Sequence, residues 1–341
     1  IASCLVGSEM CIRDSIYSNM KKKLIFLCIL IFIVYILFFP QDAVTAAADG
    51  LVLWYERVLP SLLPFAILSN ILIYSGFTGY LVKLLYPLLR LILPASRNGS
   101  FVLLSGFLFG FPMGSKNCAE MLKCGQLEYQ EAEILFMVTN NISPVFISSY
   151  ILCQELHMPS LIPLSYLVIF LPPLIAGRLL FFFTEKKQSV SNHSTTYKKP
   201  ASGSQINFKI IDAGIMNGFE TLTRLGGYIM LFSMISSMFR LLPLPETTKL
   251  MLTGLTEITN GIKVASQSPL TPACRYLLAM TFTAFGGCSG LAQTSSMIKG
   301  TGLSIKKYGI FKLLMTLITA VLAWSVVTLV YPSAFLPVCL P

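Results

Sequence analysis

Residues 101–144 read FVLLSGFLFGFPMGSKNCAEMLKCGQLEYQEAEILFMVTNNISP. An apolar run of membrane-spanning character is broken by Gly106, Gly110, Pro112 and Gly114, then by Lys116, Asn117 and Glu120. A second apolar run carries Thr139, Asn140, Asn141, Ser143 and Pro144. Polar groups at membrane depth are costly unless they face protein or a water-filled cavity. Paired broken segments are the sequence pointer to a transporter's binding site. A polar loop between two ordinary spans is the competing reading of the same residues.

Composition sets the class. The 341 residues are 55% hydrophobic and 12% charged, with a mean hydropathy of +0.73. A soluble domain carries roughly twice that charged fraction, so the chain is read as an all-α, polytopic transmembrane bundle. At about 20 residues per span the length accommodates some eight to ten crossings. The net charge of +10 comes from basic residues scattered among loops, which sets orientation in a bilayer and does not point to nucleic acid. Nine cysteines and two histidines form no metal-ligand or CxxC spacing, so no metal or cofactor is expected.

The chain divides into four parts. IASCLVGSEMCIRDS, at the start of residues 1–19, resembles a translated sequencing-adapter read-through, so native sequence is expected from Met20. Residues 20–183 form a first transmembrane half, opened by three lysines and the apolar run Leu24–Phe39, read as an uncleaved first helix. A linker, 184–209, is rich in Lys, Ser, Thr and Asn and belongs on the cytoplasmic side. Residues 210–341 form the second half, with a span from Leu225, a semi-polar stretch at Lys249–Gln267, and a last span from Phe311 preceded by basic residues.

The halves echo one another. Arg57, Phe65 and Ser69 share their spacing with Arg224, Phe232 and Ser236, and Phe109-Gly110-x-x-x-Gly114 matches Phe285-Gly286-x-x-x-Gly290. Gly125 and Gly302 follow in the same order. Such spacing predicts a duplicated unit with broken or re-entrant helices. An odd number of crossings between the copies makes the repeats inverted and keeps the first lysines and the linker on one side.

Candidate binding residues follow from the breaks. They are Gly110, Pro112, Gly114, Lys116, Asn140, Asn141, Ser143 and Pro144 in the first half, and Gly286, Gly287, Ser289 and Gln293 in the second. Lys116 and the amides of the glycine turn can hold a carboxylate or phosphate, or Lys116 can be a loop lysine. Asn140 and Asn141 can bind a polar substrate or hydrogen-bond across helices. Glu120, Glu220 and Glu257 could each relay a proton, but each has a nearby base, Lys116, Arg224 or Lys263, and the structural pair is the preferred reading. With no nucleophile–base pair, metal cluster or phosphate loop, no enzymatic activity is expected.

GFPMGSKNCAEML (110–122), NNISPVFI (140–147) and FGGCSGLAQ (285–293) resemble motifs of the YlbJ family of sporulation integral membrane proteins, within the nucleoside-recognition Gate group. The resemblance runs from about Met20 to the C-terminus. The family pattern usually reads GYPxGAK and FGGLS; Phe111, Ser115 and Cys288 depart from it. It implies movement of dipicolinic acid across the outer forespore membrane of an endospore-forming bacterium. Lys116, the turn amides and the asparagine pair would then suit the carboxylates, with Phe109 or Phe111 beside the ring. The implied partners are this anion and the lipid bilayer, without nucleic acid. A nucleoside transporter and a membrane scaffold for spore-envelope assembly stand as alternatives.

Overall fold

The computed structural model describes residue 20, residues 22–188 and residues 207–330, and all regular structure among them is helical. The adapter-like leader and most of the polar linker lie outside the described residues. α1 (Lys22–Phe38) turns through 105° into α2 (Pro40–Leu53), where Pro40 takes a position that needs no amide donor. A π-helical turn, Trp54–Val58, leads into α3 (Leu59–Ser75), which ends on Gly76 at φ +74°. α4 (Thr78–Val82) and α5 (Tyr86–Ile92) follow. The apolar stretch Tyr80–Leu93 is thus divided between two helices, the second with a proline in its first turn.

α6 (Arg97–Phe109) is capped by the Ser96 hydroxyl, which accepts the Gly99 amide at 3.0 Å, and it stops at Gly110. α7 (Met113–Lys123) and α8 (Tyr129–Thr139) come next. The chain then breaks at 140–143, forms a π-helical segment, Phe146–Glu155, and continues as α9 (Ile162–Gln188). The second half opens with α10 (Phe208–Leu241), an unbroken helix that starts well before the span expected from Leu225. α11 (Glu246–Thr256) and α12 (Ile258–Gln267) occupy the semi-polar stretch. α13 (Pro272–Phe285), α14 (Gly287–Met297) and α15 (Ile305–Val330) complete the described chain.

The element order repeats. α6 and α13 each start on a hydroxyl cap, Ser96 and Thr271, and each ends on a glycine of positive φ, Gly110 at +74° and Gly286 at +80°. Each is followed by an eleven-residue helix, then by a turn containing Gly125 or Gly302, also at positive φ. Repetition fails after that point. α8 is broken at Asn140, whereas α15 runs on to Val330.

α9, α10 and α15 are long and apolar enough to cross a membrane, and the bent pairs α1–α2 and α5–α6 (78°) raise the total to as many as five among the described residues. The other apolar stretches are cut into shorter helices packed between these. α15 shows the two-faced pattern of a span at a bundle edge. Leu313, Leu317 and Val321 are exposed on one face, and Lys312, Met315, Thr319, Ala323 and Val327 are buried on the other. α10 packs along α2 and α3, while α15 packs along α13 and α9.

The close approach of the breaks depends on glycine. A Cβ at Gly106 or Gly114 would lie 2.6 Å from the Thr139 carbonyl oxygen, and one at Gly110 would lie 2.4 Å from the Ser143 amide. Gly110→Ala therefore combines a clash with backbone and a strained φ, and it is expected to destabilise the protein by at least about 2 kcal/mol. Gly227→Ala, on the exposed face of α10 with nothing within 4 Å, should cost nothing. Thermal unfolding of the detergent-solubilised protein checks both, and equal midpoints for the two variants would contradict the packing described.

Candidate functional site

Three breaks build the site. Between α6 and α7 the chain turns through Gly110, Phe111 and Pro112, with a cis peptide bond before Pro112. This turn is tied to the break after α8. The Phe111 amide donates to the Asn141 carbonyl oxygen at 2.5 Å, and the Ser115 amide donates to Asn140 Oδ1 at 3.3 Å. Met113 and Gly114 donate back to the Gly110 carbonyl oxygen. The amides expected to be free for a ligand at this turn are thus occupied by protein. Buried backbone donors must find acceptors, and these found them in the neighbouring break.

Asn140 and Asn141 act across helices. Asn140 Nδ2 donates to Thr294 Oγ1 at 2.9 Å and to the Tyr308 hydroxyl at 2.8 Å. Asn141 Nδ2 donates to the Val138 carbonyl oxygen, and its Oδ1 accepts from Lys312 Nζ at 3.1 Å. Pro144 offers its carbonyl oxygen to the Tyr166 hydroxyl. Of the two open readings of the asparagine pair, the geometry carries the cross-helix one.

The break between α13 and α14 differs. Gly286 at the start of α14 has no side-chain hydrogen-bonded cap, and an uncapped first turn leaves amide donors for another acceptor. Gly287 packs against the Thr256 carbonyl oxygen, where an added Cβ would lie at 3.1 Å.

A cavity of about 240 Å³ lies where these breaks meet. Pro112 and Ser143 reach it from the first half, and Gly286, Ser289 and Gln293 from the second. Gln293 Nε2 donates to Ser289 Oγ at 2.8 Å, while Gln293 Oε1 is buried without a partner. Phe109 and Phe111 supply aromatic faces. Arg57, Tyr150 and Glu257 line it too and were not among the sequence candidates. Glu257 is buried and accepts the Asn260 amide at 2.8 Å as the cap of α12; it forms no ion pair with Lys263.

Lys116 sits elsewhere. It is 4% exposed, and its Nζ donates to Asn70 Oδ1. Asn70 donates in turn to the Gly214 carbonyl oxygen, and Tyr74, held by Asn217, donates to Glu120 at 2.8 Å. Glu120 thus pairs with a tyrosine hydroxyl in place of Lys116, whereas Glu220 does pair with Arg224. Lys116, Glu120, Lys123, Glu220, Arg224 and Lys299 surround a second cavity of about 230 Å³. Both cavities take residues from α10 and α14, and the second is also lined by α7. Met113 lies between Pro112 of the first and Lys116 of the second, and Leu222 between Leu225 and Thr221. These two side chains and Ala66 are fully buried and belong to one apolar cluster.

Removing the Asn140 side chain breaks three contacts and orphans the Ser115 amide, so Asn140→Ala is expected to cost about 1–3 kcal/mol. Ser143→Ala, which loses one long bond from the Phe146 amide at 3.3 Å, should cost less than half as much. Unfolding of the two purified variants decides this, and equal losses would contradict the structural role of Asn140.

Residues 56–154, from the π-helical turn through the break after α8, match the Gate family, described as nucleoside recognition. Over 313 residues the chain is 27% identical to the sporulation integral membrane protein YlbJ of Bacillus subtilis strain 168, covering 83% of this chain and 77% of that protein. No solved structure matches the chain. The Gate match and the likeness to YlbJ along most of both chains fit the long apolar helices. The chain is an integral membrane protein that is similar to YlbJ along most of its length and carries a match to the Gate family.

Proposed function

We propose that the protein is a transporter, not an enzyme, and that it carries a small organic anion, dipicolinate, across the outer forespore membrane during sporulation. The observation that carries the reading is a cavity shared by one broken helix from each half. Broken helices at a shared cavity give a substrate polar backbone without exposing that backbone to lipid.

The chemistry of the cavity suits such a cargo. Its volume, about 240 Å³, is below the usual range of drug-sized pockets and fits a single-ring molecule. Phe109 and Phe111 offer faces to a ring, and Arg57 offers positive charge at the wall. Ser143, Ser289 and the uncapped start of α14 supply donors. In this reading the buried Met113–Leu222 cluster is the partition between this cavity and the one around Lys116. The latter cavity serves as a charged vestibule, and movement of the partition would join the two compartments. The halves 20–183 and 210–341 then act as the two sides of the path. The sporulation setting is drawn from the name of the relative.

The Gate description favours a second cargo, a neutral nucleoside, which has no use for cavity charge. Uptake into proteoliposomes separates the two. The wild-type protein should accumulate dipicolinate faster than uridine, and Ser289→Leu, which fills the cavity, should lower the rate at least about tenfold. Dipicolinate uptake no faster than in protein-free vesicles would overturn the reading, and preferential uptake of uridine would replace it with the nucleoside one.

A further inference from the structure

α15 carries a lysine where a membrane-spanning helix has no simple use for one. Lys312 lies within the apolar, span-length stretch Ile305–Leu329 and is 3% exposed. It sits on the buried stripe with Met315 and Thr319, so its side chain points into the bundle and away from the exposed Leu313–Leu317 face. Among the described residues no carboxylate lies within ion-pair distance of it. Its hydrogen bond goes to the neutral Asn141 Oδ1 at 3.1 Å, and the Tyr308 ring lies 6.0 Å from its Nζ. A buried ammonium with one neutral acceptor is expensive. A retained intramembrane charge of this kind points to function, with its counter-charge to be named.

The surroundings name that counter-charge. Lys312 lines a water-sized void together with Asn140, Tyr308, Gly286 and Gly290. Gly286 and Gly290 belong to the uncapped start of α14, and both also line the main cavity. Phe111 shares both spaces, and its ring lies close enough to Gly290 that a Cβ there would meet it at 3.4 Å. The ring is therefore a partition between the cavity and the lysine. A positive helix end and a buried ammonium face one small space, and both attract an anion.

We propose that Lys312 and the first turn of α14 form an anion subsite, reached from the main cavity past the Phe111 ring, that takes one carboxylate of the transported molecule. This deepens the transport reading and rests on it for the nature of the cargo. The second carboxylate stays in the main cavity on the Arg57 side, so a dicarboxylate spans both compartments. Asn141 holds the lysine in place between binding events, which makes it a positioning residue for this subsite.

Calorimetric titration of the full-length purified protein tests the subsite, with dipicolinate, picolinate and uridine as probes and three variants. Lys312→Met should weaken dipicolinate binding at least about tenfold and abolish its advantage over picolinate, while Lys312→Arg stays within about threefold of the wild type. Lys312→Gln keeps a donor for Asn141 without the charge, so it should fold like the wild type yet bind like Lys312→Met. Wild-type affinity for dipicolinate in Lys312→Met or Lys312→Gln would overturn the subsite and leave the transport reading standing. Lys312-dependent binding of picolinate with no binding of dipicolinate would keep the subsite and remove dipicolinate as cargo. A wild-type protein that binds neither carboxylate would remove both.

Discussion

Backbone polarity inside a membrane protein has to be satisfied by the protein itself, and the interlock of two helix breaks in the first half meets that demand. The turn after α6 presents amides, and the break after α8 presents the Asn141 carbonyl oxygen and the Asn140 side chain that accept them. Glycines 106, 110 and 114 permit the approach because any side chain there would strike the backbone at Thr139 or Ser143. Asn140 then carries the same junction across to Thr294 on α14 and Tyr308 on α15. One pair of asparagines thus fixes the position of both halves around the cavity.

The consequence for function is an unequal division of labour between two related breaks. At the first, the amides of Phe111, Met113, Gly114 and Ser115 all donate to protein, so the turn acts as structure. The second, at Gly286, lacks a cap and lies beside a buried glutamine oxygen without a partner and a buried lysine without a carboxylate. Open hydrogen-bonding capacity in a dry interior is stabilising only when something fills it. The proposed binding chemistry therefore leans on the second half, although Gate similarity covers the first.

Much of this was legible in the sequence, for reasons that can be located. Gly110, Pro112 and Gly286 read as breaks because only those residues interrupt a helix so cheaply, and the repeated Phe-Gly-x-x-x-Gly spacing located the second break from the first. Pro112, Ser143, Gly286, Ser289 and Gln293 do meet on one cavity. Lys116 does not join them, since adjacency along the chain says little about which side of a helix faces which cavity. Asn140 and Asn141 looked like ligands because their partners, Thr294, Tyr308 and Lys312, lie more than 150 residues away. Lys312 was hidden by Lys306 and Lys307. Read together they form a basic flank, but the helix begins at Ile305 and carries Lys312 two turns inside it. The helical stripe shared with Tyr308, Met315 and Thr319 was the available signal.

The central claim is that a solvent-reachable binding cavity forms where the breaks of the two halves meet. Its most direct test is thiol accessibility in a version lacking the chain's nine cysteines, with Ser143→Cys and Ser289→Cys introduced singly. Both positions should react with a small water-soluble thiol reagent in membranes, and dipicolinate should protect both. Failure of either cysteine to react, or reaction undiminished by the anion, would contradict the account.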